Sequence, residues 1–68
     1  MRELWTANLV GKMHLFDITG AELAEKLGVT RAYVSMILSG KRTTRKAQIQ
    51  FERAVDELVR EKEREEAI

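Results

Sequence analysis

The stretch ITGAELAEKLGVTRAYVSMILSGKR, residues 18–42, decides the fold because it predicts two short helices joined by a tight turn. Its first helix is predicted by Thr19 and by Glu22 three residues later. This pair forms a capping box, in which each side chain satisfies the other residue's backbone N–H. Gly28 then supplies the left-handed residue that commonly ends a helix. The spacing therefore predicts a helix over 20–27.

The second helix of this stretch is predicted over about 30–38. The hydroxyl of Thr30 can cap its start, and Gly40 follows its end. Val29 is expected to plug the turn between the two helices. The inward positions of both helices are apolar at helical spacing: Leu23, Ala24, Leu27, Val34, Ile37 and Leu38. Ala24 has to be small, because we expect the second helix to cross the first at this position.

The flanking segments also show helical rather than alternating periodicity, and the chain contains no proline. A first helix is predicted over roughly 2–15. Its buried stripe is expected to be Leu4, Trp5, Leu9, Met13 and Phe16. A last helix is predicted from about 44, capped by Thr43 or Thr44, and frayed after about 60. Its stripe is expected to be Ala47, Phe51, Ala54, Val55, Leu58 and Val59.

The 68 residues therefore predict one all-α domain, 1–68, with four to five helices. Its net charge of +1 conceals an uneven distribution. Residues 1–50 carry eight Lys/Arg and four Asp/Glu, whereas residues 51–68 carry four and seven. The segment 31–46 contains five basic residues and no acidic one: Arg31, Lys41, Arg42, Arg45 and Lys46. A local positive field of this kind favours an anionic partner.

Composition argues against several classes of function. The absence of cysteine excludes disulfides and thiolate metal sites, and the single histidine, His14, has no ligand partners at metal-binding spacing. No nucleophile–base pair or glycine-rich phosphate loop can be assembled, so we expect neither an enzyme nor a cofactor. No apolar run reaches the ~18 residues of a membrane span. We expect a cytoplasmic protein without a small-molecule ligand.

Two short helices with a glycine-containing turn have the layout of a helix-turn-helix. Residues 18–42 resemble the motif of the Cro/repressor-type (XRE) transcriptional regulators, including small ones from phages and mobile elements. The resemblance implies binding of double-stranded DNA, with the helix over 30–38 in the major groove. It places Arg31, Ala32, Ser35 and Met36 against base edges. It places Gly20, Thr30, Tyr33, Ser39, Lys41 and Arg42 against phosphates.

Three positions depart from the family pattern. Many members carry glutamine in place of Gly20, glutamate in place of Leu38 and asparagine in place of Ser39. At Gly20 only backbone N–H groups remain to attract an anion. The residues alone leave two positions open, since Arg31 could be merely solvated and Tyr33 could cover the edge of the core. A rival hypothesis is a protein-interaction module, of antirepressor or antitoxin type, on the same scaffold.

One recognition helix reads too few base pairs for useful specificity in a genome. We therefore expect a homodimer on DNA, with the second copy reading a half-site about 34 Å along the duplex. The stripe of the last helix is the candidate for the contact between the copies. Phe51 and Val55 are expected to close the monomer's own core, and Leu58 and Val59 are predicted as the dimer contact.

Overall fold

The computed structural model describes residues 4–41 and 43–66, and it contains four α-helices in this part of the chain. Their bounds are Leu4–Leu15 (α1), Gly20–Leu27 (α2), Arg31–Leu38 (α3) and Arg45–Glu66 (α4). The predicted all-α class is confirmed. The predicted start of the first helix, residues 2 and 3, lies outside the described residues.

The helix ends form as the local sequence predicts. The backbone N–H of Glu22 donates to Thr19 Oγ1 at 3.1 Å, and the backbone N–H of Thr19 donates to Glu22 Oε1 at 3.0 Å, so the capping box is complete. Gly28 adopts the left-handed conformation with φ of 71°. The hydroxyls of Thr30 and Thr44 each accept a backbone N–H at 3.0 Å, at the starts of α3 and α4. These bonds define where the short helices begin.

The core lies where α4 packs against α1 and α2, and where α3 packs against α2 and α1. Phe51 of α4 is at its centre, 1% exposed. The ring of Phe51 makes edge-on contacts with Trp5 of α1 and Tyr33 of α3, with centroid separations of 6.4 and 6.2 Å. One aromatic residue therefore joins three of the helices.

Two apolar residues do not lie where the sequence predicted. Leu4 was expected in the buried stripe of α1, but its side chain is 75% exposed. Successive helical residues are 100° apart, so the core direction set by Leu9 and Met13 leaves Leu4 on the opposite side. Thr6 is fully buried on that inner side instead. Val29 is 37% exposed, so it does not act as a buried plug in the turn.

The prediction that Leu58 and Val59 form a dimer contact also needs correction. Both are 8% exposed and belong to the monomer's own core. The reason is that α4 is 22 residues long and packs along both α1 and α2, so its whole apolar stripe is used within one chain. The surface left at these two residues is too small for a second subunit.

Helix α4 continues to Glu66, beyond the region near residue 60 where the sequence predicts fraying. Ion pairs join this part of α4 to α2. Lys26 Nζ lies 2.6 Å from a Glu61 carboxylate oxygen and 3.4 Å from one of Glu57, and Lys62 Nζ lies 3.2 Å from Glu22 Oε2. Partly exposed pairs contribute little each, but together they give α4 tertiary contacts as far as Lys62.

These contacts also shift the pKa values of Glu22 and Lys26. The hydrogen bond from the Thr19 backbone N–H holds the pKa of the Glu22 carboxyl below its ordinary value of 4.5, against the opposing effect of partial burial, and Lys62 lowers it further. The hydrogen bond to Glu61 raises the pKa of the Lys26 ammonium, and Glu57 adds to this effect. Both groups therefore stay charged at neutral pH, and the pairs between α2 and α4 persist there.

Ala24 is 4% exposed in the core where α2 and α3 pack together. We expect Ala24→Leu to overpack this junction and to lower the free energy of unfolding by about 1–3 kcal/mol. Ala21→Leu is the matched control, because Ala21 is exposed on the same helix. Thermal melts followed by circular dichroism compare both variants with the parent. If Ala24→Leu melts at the parent temperature, the two helices do not pack tightly there.

Within residues 4–41 and 43–66, none of the helices combines the length and apolarity that crossing a membrane requires.

Candidate nucleic-acid interface

Helix α3 presents one face to solvent and one to the core. Val34 and Ile37 are buried, and Leu38 is partly buried against them. All four residues predicted to read base edges are exposed: Arg31, Ala32, Ser35 and Met36. On a helix with 100° per residue these positions lie on the side away from Val34 and Ile37. The helix thus offers a mixed polar and apolar surface about two turns long.

An open groove of about 660 Å³ runs beside this face, between α3, the start of α2 and α1. Its lining includes five of the residues to which the sequence assigned a DNA contact: Gly20, Arg31, Ala32, Ser35 and Ser39. Val10 of α1 and Leu38 of α3 contribute apolar surface to the same groove. The structure therefore brings the start of α2 and the exposed face of α3 together. Met36 does not line this groove.

Two hydroxyl groups predicted to meet phosphate differ in their availability. Thr30 Oγ1 accepts the Tyr33 backbone N–H at 3.0 Å, and this leaves its own proton free to donate. Ser39 Oγ donates to the Met36 carbonyl oxygen at 2.6 Å, and the Lys41 backbone N–H approaches the same Oγ at 3.4 Å. Because its proton is used to close α3, Ser39 has none to offer a phosphate in this conformation.

Tyr33 stands at the edge of the exposed face of α3. Its ring contacts Phe51, yet more than a third of the residue is exposed. The two roles left open by the sequence are therefore compatible, since a tyrosine can place its ring on a core and keep its hydroxyl in water. Tyr33 therefore contacts the core and this surface at the same time.

The start of α2 offers backbone N–H groups beside the groove. The first residues of a helix have N–H groups without intrahelical partners, and here they belong to Gly20 and Ala21. The Glu22 carboxylate already occupies the same helix end, with Lys62 as its counterion. A Cβ atom at Gly20 would meet no other atom within 4 Å, so packing does not require glycine there.

The segment around α3 carries basic residues and no acidic ones. In the described part of the chain, the cations that form ion pairs are Lys12, Lys26 and Lys62, all on other helices. Seven exposed cations have no carboxylate within ion-pair distance among the described residues. Four of them lie in the acid-free segment 31–46: Arg31, Lys41, Arg45 and Lys46. The other three, Arg53, Arg60 and Arg64, lie on the acid-rich later part of α4. Arg42, predicted to contact phosphate, lies outside those residues.

Arg45 and Lys46 form the exposed first turn of α4, which has no acidic residue. Both belong to the acid-free basic segment 31–46, but the resemblance to the family assigns neither of them a DNA contact. That segment was the signal for them, because cations near a helix N-terminus oppose the helix dipole and have no evident structural benefit there. Over the described ranges, no three His, Asp or Glu side chains come together as ligands for a metal ion.

The sequence matches the family described as helix-turn-helix over residues 15–50. The matched segment contains α2, the turn and α3 in full, and it reaches into α1 and α4. No curated protein and no solved structure matches the chain.

Proposed function

The chain belongs to the helix-turn-helix family of DNA-binding regulators, and we propose that it binds double-stranded DNA sequence-specifically through α3 and acts as a repressor. The observation that carries this proposal is the segregation of charge. The segment 31–46, which contains α3 and the first turn of α4, carries exposed cations and no carboxylate, while the ion pairs lie on α1, α2 and the later part of α4. Occupation of a site excludes other proteins from the same DNA, so repression requires no further contact.

The roles of the side chains follow from groove chemistry. The Arg31 guanidinium can donate two parallel hydrogen bonds to guanine O6 and N7, and Ala32 or Met36 can pack on a thymine methyl group. Ser35 can donate to or accept from a base edge. Phosphates would be held by Lys41, Arg42, Thr30 and Tyr33 and by the N–H groups at Gly20, with Ser39 as the weakest candidate. Such contacts fix position, while base contacts specify sequence.

We also propose that two copies act together on DNA. A single α3 covers only a few base pairs, and competing genomic sites outnumber a specific site by many orders of magnitude. A two-fold related copy would read a matching half-site one helical turn away, about 34 Å along the duplex. Leu58 and Val59 are buried in the monomer, so we propose another surface for this contact.

The experiment that tests DNA binding is a salt titration on duplex DNA. Each phosphate contact adds about −0.9 to the slope of log affinity against log salt concentration. We expect Lys41→Ala to reduce the slope by about 1 and to weaken binding to specific and random duplexes similarly. Lys12→Ala is the matched control and should leave the slope unchanged, because Lys12 already pairs with Asp56 at 2.6 Å.

A parent affinity that is the same at low and moderate salt contradicts the proposal. That result favours the rival hypothesis, in which the exposed face of α3 contacts another protein.

A further inference from the structure

The outward side of α1 carries a stripe formed by Leu4, Asn8, Gly11 and Leu15. Its spacing of four, three and four residues is that of a coiled-coil seam. The two leucines are 75% and 78% exposed, the highest values among the large apolar residues described. This outer stripe of α1 contributes nothing to the core of the described residues and leaves two large apolar side chains in water.

Gly11 gives an independent indication. Glycine inside a helix is unfavourable by about 1 kcal/mol relative to alanine. Within the described chain nothing compensates for this, because a Cβ atom at Gly11 would meet no other atom within 4 Å. A glycine in an exposed helix face allows the backbone of another element to approach closely. That approach comes from none of the four described helices.

We infer that a second copy of this chain docks on the outer stripe of α1, with the two α1 helices antiparallel. An antiparallel two-fold arrangement centred between residues 9 and 10 sets Leu4 opposite Leu15 of the other copy, and Asn8 opposite Gly11. Each large residue then meets a large one, and the amide of Asn8 lies over the small Gly11. The stripe is self-complementary, as a two-fold interface requires. It is also uncharged, so docking buries no ionised side chain.

The direction of the groove beside α3 selects the antiparallel arrangement, and this step rests on the proposed DNA binding. His14 lies about 90° and Val10 about 130° around α1 from the centre of the outer stripe, both on the same side of it. Val10 lines the groove with Arg31 and Ser35, and His14 lines its continuation at Gly20. If the two α1 helices are antiparallel, the two-fold axis is perpendicular to the plane that contains both helix axes. It therefore points about 90° around α1 from the outer stripe, toward the side on which His14 and Val10 lie. Both copies then present α3 to the same side, as one duplex requires. Parallel helices would turn the two α3 faces to opposite sides.

The expected spacing also agrees with DNA. Packed helices lie about 8–10 Å apart, so the path from α3 through α1 to the other α1 and its α3 spans about 24–30 Å. This is close to the ~34 Å that separate half-sites on one face of the duplex. Helix α1 is only about 18 Å long, so it buries less than the ~1,200 Å² of a stable interface. The dimer is therefore weak alone and becomes populated when two adjacent half-sites raise the effective concentration.

Cysteine cross-linking tests the pairing, because the chain has no cysteine of its own. Leu4→Cys and Leu15→Cys alter exposed positions and leave the core intact. Under mild oxidation, a mixture of the two variants should give a disulfide-linked pair, whereas each variant alone should give little. In the antiparallel dimer, position 4 lies about 16 Å along the helix axis from its own copy, beyond the ~7 Å limit between Cα atoms joined by a disulfide. Ile49→Cys, on the exposed side of α4, is the matched control.

Equal cross-linking by Leu4→Cys alone overturns the antiparallel arrangement. A mixture that forms no more disulfide than Leu4→Cys mixed with Ile49→Cys overturns the interface altogether. These results do not depend on DNA. A parent protein that fails to bind DNA while the mixture cross-links contradicts the proposed function and leaves the interface standing.

A second measurement uses a duplex with two half-sites, obtained by selecting bound sequences from a random pool. We expect Leu15→Lys to bind this duplex about tenfold more weakly than the parent. On a single half-site it should bind as the parent does, despite its added positive charge. Ile49→Lys carries the same change outside the stripe and should keep parent cooperativity. Loss of affinity by Leu15→Lys on the single half-site as well would overturn the inference.

Discussion

Replacement of Phe51 by alanine is expected to destabilise the fold by about 3–5 kcal/mol, the range for truncating a buried aromatic residue. Phe51 is 1% exposed, and its ring contacts Trp5 and Tyr33 on two other helices. Its removal leaves a cavity that α1, α3 and α4 cannot all close. Domains of this size have only a few kcal/mol of stability. We therefore expect a large part of the Phe51→Ala protein to be unfolded at 25 °C.

Two variants separate the causes of this loss. Phe51→Leu keeps most of the apolar volume but removes the ring contacts, each worth about 0.5–1.5 kcal/mol beyond buried area, so it should lose less than Phe51→Ala. Ile49→Ala changes a half-exposed residue on the same helix and should lie within about 0.5 kcal/mol of the parent. Urea unfolding followed by the fluorescence of Trp5 measures all three. A Phe51→Ala midpoint equal to that of Ile49→Ala contradicts the central role of Phe51.

The same residue links stability to the proposed DNA contact. Phe51 touches Tyr33 at the edge of α3, and the apolar side of α3 belongs to the same core. These core contacts on the buried side of α3 therefore determine how its exposed face is oriented. We expect Phe51→Leu to weaken specific DNA binding more than its modest loss of stability alone explains, since a small rotation of α3 misaligns contacts to base edges.

The parts of the fold that the sequence predicts correctly are those determined by neighbouring residues. The capping box of Thr19 and Glu22, the left-handed Gly28 and the cap at Thr30 each depend on groups within a few positions. Such interactions join residues within one helical turn, so the local sequence is enough to indicate them. They are enough to position α2 and α3, and the helix-turn-helix follows from them.

The incorrect predictions concern packing between distant segments. Hydrophobicity alone places Leu4 in the core, although it lies about 140° around the helix from Leu9 and about 180° from Met13, on the side away from the core. Thr6 was overlooked because it is polar, although its spacing to Leu9 and Met13 is helical. The prediction that Leu58 and Val59 form an interface fails for a similar reason. How far the core extends along α4 depends on the packing of α1 and α2 against it, and the sequence does not show this packing. The pairing of Lys26 and Lys62 with carboxylates of a neighbouring helix is likewise invisible along the chain.

The candidate interface also has some features that the sequence predicts and others that it does not. The exposed face of α3 follows from helical periodicity, and the structure leaves all four proposed base-reading residues exposed. Helical periodicity does not predict which hydroxyl group is free to donate a hydrogen bond to a phosphate. Ser39 and Thr30 look equivalent in sequence, but the former donates to a carbonyl and the latter accepts an N–H. Only the direction of each hydrogen bond decides which group keeps a proton for phosphate.

Arg31→Ala is expected to weaken binding to the preferred DNA site by about 1–3 kcal/mol, or roughly 5–150-fold. Arg31 begins α3, is exposed, lines the groove beside that helix and has no carboxylate partner among the described residues. The planar, forked guanidinium matches guanine O6 and N7 with two parallel hydrogen bonds. On random duplex the loss should be far smaller, because binding there depends on phosphate charge alone.

Arg31→Lys distinguishes base reading from simple attraction. Lysine keeps the positive charge but cannot reproduce the planar bidentate geometry. If Arg31 reads a guanine, Arg31→Lys should lose much of the affinity for the preferred site and retain that for random duplex. Replacing the contacted guanine should then abolish the difference between the parent and Arg31→Ala. Gel-shift titrations at one fixed salt concentration measure both effects. Equal losses on preferred and random DNA, with full recovery in Arg31→Lys, would make Arg31 a phosphate contact and move base recognition to Ala32, Ser35 and Met36.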